Sequence, residues 1–254
     1  MSAANEKLDE LVGRLRSAAG ENLESVVLYG SAAGSDFSEK YSDLNLLCIL
    51  KDASPSELEK LAPVVRWWSR DQGQRPPLLL TAEEVEASAD VYAIEMLDIQ
   101  ASHRVLYGQN SITSIQVPVN LHRVEVEHEL RNALLRLRQH YLLAHEDEAE
   151  LERVLAKSAS GMVTLLRHSL LVVGAAVPTS KREVIESASR QFGVDPAPFH
   201  AALDLREDRR LESGISQTYH GYVRALSSVI QQIDRAVPKK QWRRVAESSR
   251  PSQP

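Results

Sequence analysis

Two short apolar runs constrain the fold more than any other feature. Ser25-Val26-Val27-Leu28-Tyr29 stops abruptly at Gly30-Ser31, and Leu44 to Leu50 (LNLLCIL) resumes after a polar spacer from Ala32 to Ser42. Runs this brief, bounded by turn residues, read as buried strands. A buried strand needs neighbours on both faces, and the flanking patterns supply them. Leu8, Leu11, Val12 and Leu15 recur at helical spacing before the first strand. After the second, Ser54-Pro55-Ser56-Glu57 reads as a capping box opening a helix through Leu58, Leu61, Val65 and Trp68. Leu78-Leu79-Leu80 and Val105-Leu106-Tyr107 predict two more strands, and Thr81 with Glu84 predicts a capped helix start.

The character changes beyond Gly108. Ser111 to Asn120, with Pro118 inside it, reads as a linker, and the chain beyond Asn120 is almost wholly helical in pattern. Leu130, Leu134, Leu137 and Tyr141 form one stripe; Ile215, Tyr219, Tyr222, Leu226, Ile230 and Ile233 form another. Ser180 and Glu183 suggest a second capping box. Helices joined by short connections pack as an antiparallel bundle. The expected organisation is a mixed sheet flanked by helices over 1–115, a helical bundle over 120–237, and a disordered basic tail over 238–254. This is the α+β class.

With 43% hydrophobic residues over 254 positions, the chain can fill such cores. The net charge of −5 argues against a general nucleic-acid binder, which would carry a basic surplus. Cys48 is the one cysteine, so an internal disulfide is excluded, in keeping with a reducing cytoplasm. The longest apolar run, Ser169 to Pro178, is too short to span a bilayer, and the N-terminus does not read as a signal peptide. A cytoplasmic protein is expected.

The chemistry lies between the first two strands. A glycine at a strand end lets a ligand approach the backbone. Ser31 is expected to open a short helix, whose free N–H groups would seat phosphate oxygens. Asp43 stands at the entry of the next strand with Asn45 two positions on. Strand spacing sends positions 43 and 45 to one face, where two oxygen ligands would meet one metal. The bland alternatives are an ordinary N-capped turn at Ser31, a turn residue at Asp43 and a buried structural asparagine at Asn45.

The stretch Val26 to Leu50 resembles the signature of the DNA polymerase beta-type nucleotidyltransferase superfamily: strand, Gly-Ser, spacer, Asp-hydrophobic-Asp-hydrophobic. Gly30, Ser31, Asp43 and Leu44 match it. Bacterial small-molecule and minimal nucleotidyltransferases, with their C-terminal helical domains, look most similar. The resemblance implies Mg2+-dependent transfer of a nucleoside monophosphate, AMP by expectation, from a nucleoside triphosphate to a small-molecule or protein acceptor. It places Gly30 and Ser31 on the nucleotide, Asp43 in the catalytic centre, and Asp43 and Asn45 on metal, with the bundle helping to bind the acceptor.

The sequence departs from the pattern at Asn45, where the family carries a second carboxylate. A third family acid should fall on Leu78-Leu79-Leu80, which has none, leaving Glu95 and Asp98 as the nearest substitutes. Weak or single-metal binding is expected from that donor set. The alternative is a catalytically degenerate protein that binds a nucleotide or a partner, antitoxin-like, with a toxin-type helical partner or a second copy of itself. Remaining titratable residues give less. Arg138 and His145 share one helix face and read as a solvated stripe; Arg167 and His168, inside an apolar helix, are candidates to line the cleft or to pair with a carboxylate.

Overall fold

The computed structural model describes residues 3–33, 44–211 and 214–236. The opening helix α1 (Ala3–Ala19) buries Leu8, Leu11 and Leu15, and leads into β1 (Leu23–Tyr29). β2 (Asn45–Leu50), α2 (Pro55–Arg66), β3 (Leu78–Thr81), α3 (Ala82–Ser88), α4 (Ala93–Ala101) and β4 (His103–Gly108) complete the first half. The sheet is ordered β3-β2-β1-β4. β1 runs antiparallel to both β2 and β4, while β2 and β3 are parallel.

Strand alternation divides the side chains between two faces. Val26, Leu28, Leu46, Cys48 and Leu50 point into a core closed by α1 and α2, including Leu61 and Trp68. Val27, Leu47 and Ile49 point the other way, onto Val85 of α3 and Met96 and Ile99 of α4. At the far edge of the sheet, Gly108 (φ +80°) opposes Ser25. A Cβ there would lie 1.9 Å from the Glu24 carbonyl oxygen, so β4 can cross β1 only with a glycine.

Local starts and stops obey side-chain chemistry. Thr81 and Glu84 form a reciprocal capping box at α3, as expected. Ser54 does not: its hydroxyl turns back to Asp52 while Glu57 pairs with Lys60. The start of α2 therefore rests on Pro55 at the first position rather than on a box. At Ser180 one half of the expected box is present, the hydroxyl accepting from the Glu183 N–H. The helix α2 continues into a π-helical turn, Trp67–Asp71, which buries Trp68 completely and sets Trp67 beneath the Arg14 guanidinium, 4.1 Å from the ring centre. The segment read as a linker is packed: Ile112 and Ile115 are buried against α4, whose Gln100 donates to both of their carbonyls.

α5 (Val119–Ala144), α6 (Glu148–Val172), α7 (Lys181–Phe192), α8 (Ala197–Arg206) and α9 (Ile215–Ala236) form the bundle. Their stripes meet in one core that also takes in Ile94 of α4. Two polar groups are matched inside it: the Tyr219 hydroxyl donates to the Leu137 carbonyl at 2.7 Å, and Tyr222 meets Ser158 at 3.0 Å. Burial raises the Tyr219 phenol to about 12, so both tyrosines stay neutral. Among the described residues no helix is long and apolar enough to cross a membrane. The basic tail lies outside the described residues.

Candidate functional site

β1 ends where the sequence predicts. Gly30 has φ +76°, a conformation that a side chain would strain, and it begins a single 3-10 turn over Gly30–Ala32. The expected helix at Ser31 is thus one tight turn, with Ala33 N–H donating to the Gly30 carbonyl at 3.0 Å. Ser31 sits within it. The turn is pinned from the neighbouring β4 side: Gly30 N–H donates to the Ser102 carbonyl at 3.0 Å, and the Ser102 hydroxyl donates back to the Gly30 carbonyl at 3.2 Å.

Asn45 lies beside this turn. It is the register partner of Tyr29, and a Cβ placed on Gly30 would stand 3.4 Å from its Nδ2. The glycine turn and the Asn45 side chain therefore share one end of the sheet, on the face that α4 covers. Just before Asn45, Leu44 is buried in the opposite core and donates its N–H to the Gln74 side chain at 3.2 Å. Asp43 lies outside the described residues, so the expected pairing of 43 and 45 on one face is not addressed by the structure.

The stretch AIEMLDI, which sequence pattern does not assign, is the helix α4. It carries Glu95 and Asp98 one turn apart. Both acids act on Tyr29: burial first, then the charge of Glu95, raises the phenol above its usual value, with Asp98 adding to this and Arg75 opposing it. Their negative charge thus falls on the same end of the sheet as Gly30 and Asn45. Glu95 also neighbours Glu125 of α5. The Glu125 carboxylate accepts the Ile94 N–H at 3.1 Å, yet burial and the nearby Glu95 charge raise its pKa.

Asp98 is engaged from the bundle. His168 Nε2 approaches its Oδ1 at 3.0 Å and Arg167 at 3.7 Å, while His168 Nδ1 lies 2.8 Å from His122 Nε2. His168 and His122 are 0% and 2% exposed, so the two rings are sealed from water while Asp98 stays partly exposed. A carboxylate can only accept here, so His168 donates to Asp98 through Nε2. Burial first, then its histidine neighbour, lowers His122 to about 4.

The other acids considered from sequence are occupied elsewhere or absent. Glu84 is spent on the Thr81 cap, and β3 brings no acid to the sheet. Among the described residues, no three His, Cys, Asp or Glu side chains form a group that could hold a metal ion. Cys48 is buried, its thiol pushed up to about 12, and is packing rather than a nucleophile. Sequence pattern misses His122 altogether. Its partner His168 lies 46 residues away, and the only hint is the polar Arg167-His168 pair embedded in an apolar helix.

The sheet with its glycine turn, backed by helices and followed by an all-α bundle, is the expected α+β architecture. Among solved structures the chain is similar to the crystal structure of spectinomycin adenyltransferase AAD(9) from Enterococcus faecialis with ATP and spectinomycin. The TM-score is 0.56 and the identity 14%, over 88% of this chain and 99% of that one. At that identity the likeness is one of fold. No family model matches the chain, and no curated protein matches it.

Proposed function

We propose that the protein is a nucleotidyltransferase that moves a nucleoside monophosphate, AMP by preference, from a nucleoside triphosphate to a small-molecule or protein acceptor. The observation that carries this is the apposition of the Gly30 turn, in a backbone conformation that glycine allows, and Asn45 at one end of the sheet. In this reading the backbone N–H groups of Ser31 and Ala32 bind phosphate oxygens, the Gly30 N–H being held by the Ser102 carbonyl, and no side chain at position 30 blocks the approach. An acceptor hydroxyl forms a bond to the α-phosphorus, pyrophosphate departs and the hydroxyl proton is released.

Magnesium is the cofactor proposed. Bound beside the triphosphate, it would offset the charge that develops on the attacking and leaving oxygens. Asn45 offers that ion an oxygen without charge, so Asp43 is the anionic ligand in this reading. The described residues alone do not make a metal centre.

The neutral Asn45 also favours a second reading. A fold that has lost a charged ligand can retain nucleotide affinity and act as a sensor or a partner-binding module. Incubating the protein with magnesium and each labelled triphosphate, alone and with cell extract, separates the two. Pyrophosphate release that disappears in Asp43→Ala supports the transferase; nucleotide binding without release supports the silent form. Absence of binding to every triphosphate removes both.

A further inference from the structure

The C-terminal half of α5 presents a stripe that packs on nothing among the described residues. Leu135, Leu142 and Leu143 are 53%, 77% and 86% exposed, values unusual for leucines on a regular helix. Leu135, Arg138 and Leu142 recur at helical spacing, and His145 keeps helical dihedrals (φ −64°, ψ −20°), so Glu146 stays on the same stripe. Beside the stripe, between α5 and α9, lies a groove of about 480 Å³ with Tyr141, Leu142, Tyr219 and Val223 as its apolar floor and Arg138 and Arg224 at its rim. Among the described residues neither guanidinium has an ion-pair partner. Glu146 is 91% exposed, and among the described residues its one close basic contact is the imidazole of its chain neighbour His145 at 3.7 Å.

The stripe is complementary to itself. A two-fold axis through Leu142 sets residues equally spaced on either side of it opposite one another. Arg138, four before the axis, then meets the partner's Glu146, four after it. Leu142 meets the partner's Leu142, and the two Leu143 side chains come to the same side of the axis. An isologous contact of this kind satisfies each charge twice and covers the most exposed leucines of the chain at once. We propose that this face binds a second copy of the same chain, with the two α5 helices antiparallel.

The surface is independent of the nucleotide reading. Sixteen residues of helix separate Tyr141 from Glu125, about 24 Å at the rise of an α-helix. Dimerisation therefore leaves the Gly30–Asn45 end of the sheet free.

Sedimentation velocity of the full chain over a range of concentrations tests the proposal. The wild type should sediment as a dimer. Arg138→Glu and Glu146→Arg should each raise the dimer dissociation constant about tenfold or more, because each sets two like-charged pairs across the axis. The double variant restores opposite charges and should return to within about threefold of wild type. Both positions are exposed, so circular dichroism should show unchanged folding. A monomeric wild type at every concentration overturns the proposal, as do single variants that dimerise normally or a double variant that fails to recover.

Discussion

The two faces of the same four-stranded sheet differ in what their side chains are for. On the face under α1 and α2, Val26, Leu28, Leu46, Cys48 and Leu50 are all spent on packing, and β4 adds a single cation, Arg104, which donates to Asn5 of α1. The face under α3 and α4 starts the same way, with Val27, Leu47 and Ile49, but ends in Tyr29, Asn45 and the acids of α4. One backbone supports both because strand residues alternate, so β1 and β2 build a sealed core with one set of positions and a polar corner with the other. Stability should live on the first face and ligand response on the polar end of the second.

Substitutions can break or refine that division. The largest effect belongs to the sealed face: Leu46→Ala should cost about 2–5 kcal/mol in denaturant unfolding and leave nucleotide affinity per folded molecule unchanged. Loss of affinity without loss of stability would merge the two faces.

Acid should act next, through the buried histidine chain. The unfolded His122 accepts a proton near 6.5, whereas the folded ring resists it down to about 4. Below 6.5 the unfolded chain thus binds more protons, and stability falls until the folded pKa is reached, by up to about 3 kcal/mol. Urea titrations at pH 7 and pH 4.5 measure this fall, which His122→Gln should reduce.

Asn45→Asp should sharpen the comparison from the other side. Restoring a charge should tighten magnesium-dependent nucleotide binding about tenfold, about 1.4 kcal/mol, by calorimetry; unchanged affinity takes Asn45 out of the site. Thr81→Ala, which removes the cap of α3, should be the mildest, about 1 kcal/mol of unfolding free energy.

Legibility depends on range along the chain. All four strands are visible in the sequence because short apolar runs between turn residues have few other structural uses, and the corner Gly30–Asn45 can be anticipated because its parts lie close in sequence. Helix α4 escapes because its apolar residues do not fall on one clean stripe: Ala93, Ile94, Met96 and Ile99 are buried, and Ile94 packs into a different core from Met96 and Ile99. Ile112 and Ile115 escape in the same way, hidden in a segment whose Ser and Pro content reads as linker. The contact of Asp98 with His168 spans 70 residues, and no local pattern reports a contact of that range. Ser54 shows the opposite error. A local motif is present, but Asp52, two residues away, offers its hydroxyl a better partner.

The pair of hydrogen bonds between Gly30 and Ser102, one in each direction, has a mechanical consequence. Ser102 N–H is itself tied to the Asp98 carbonyl at 3.1 Å, and the Asp98 side chain is held by His168 of α6. The glycine bend is therefore not a free-standing loop but the tip of a strut, braced through one short helix against the far layer of the molecule. Whatever displaces that tip must load the bundle as well.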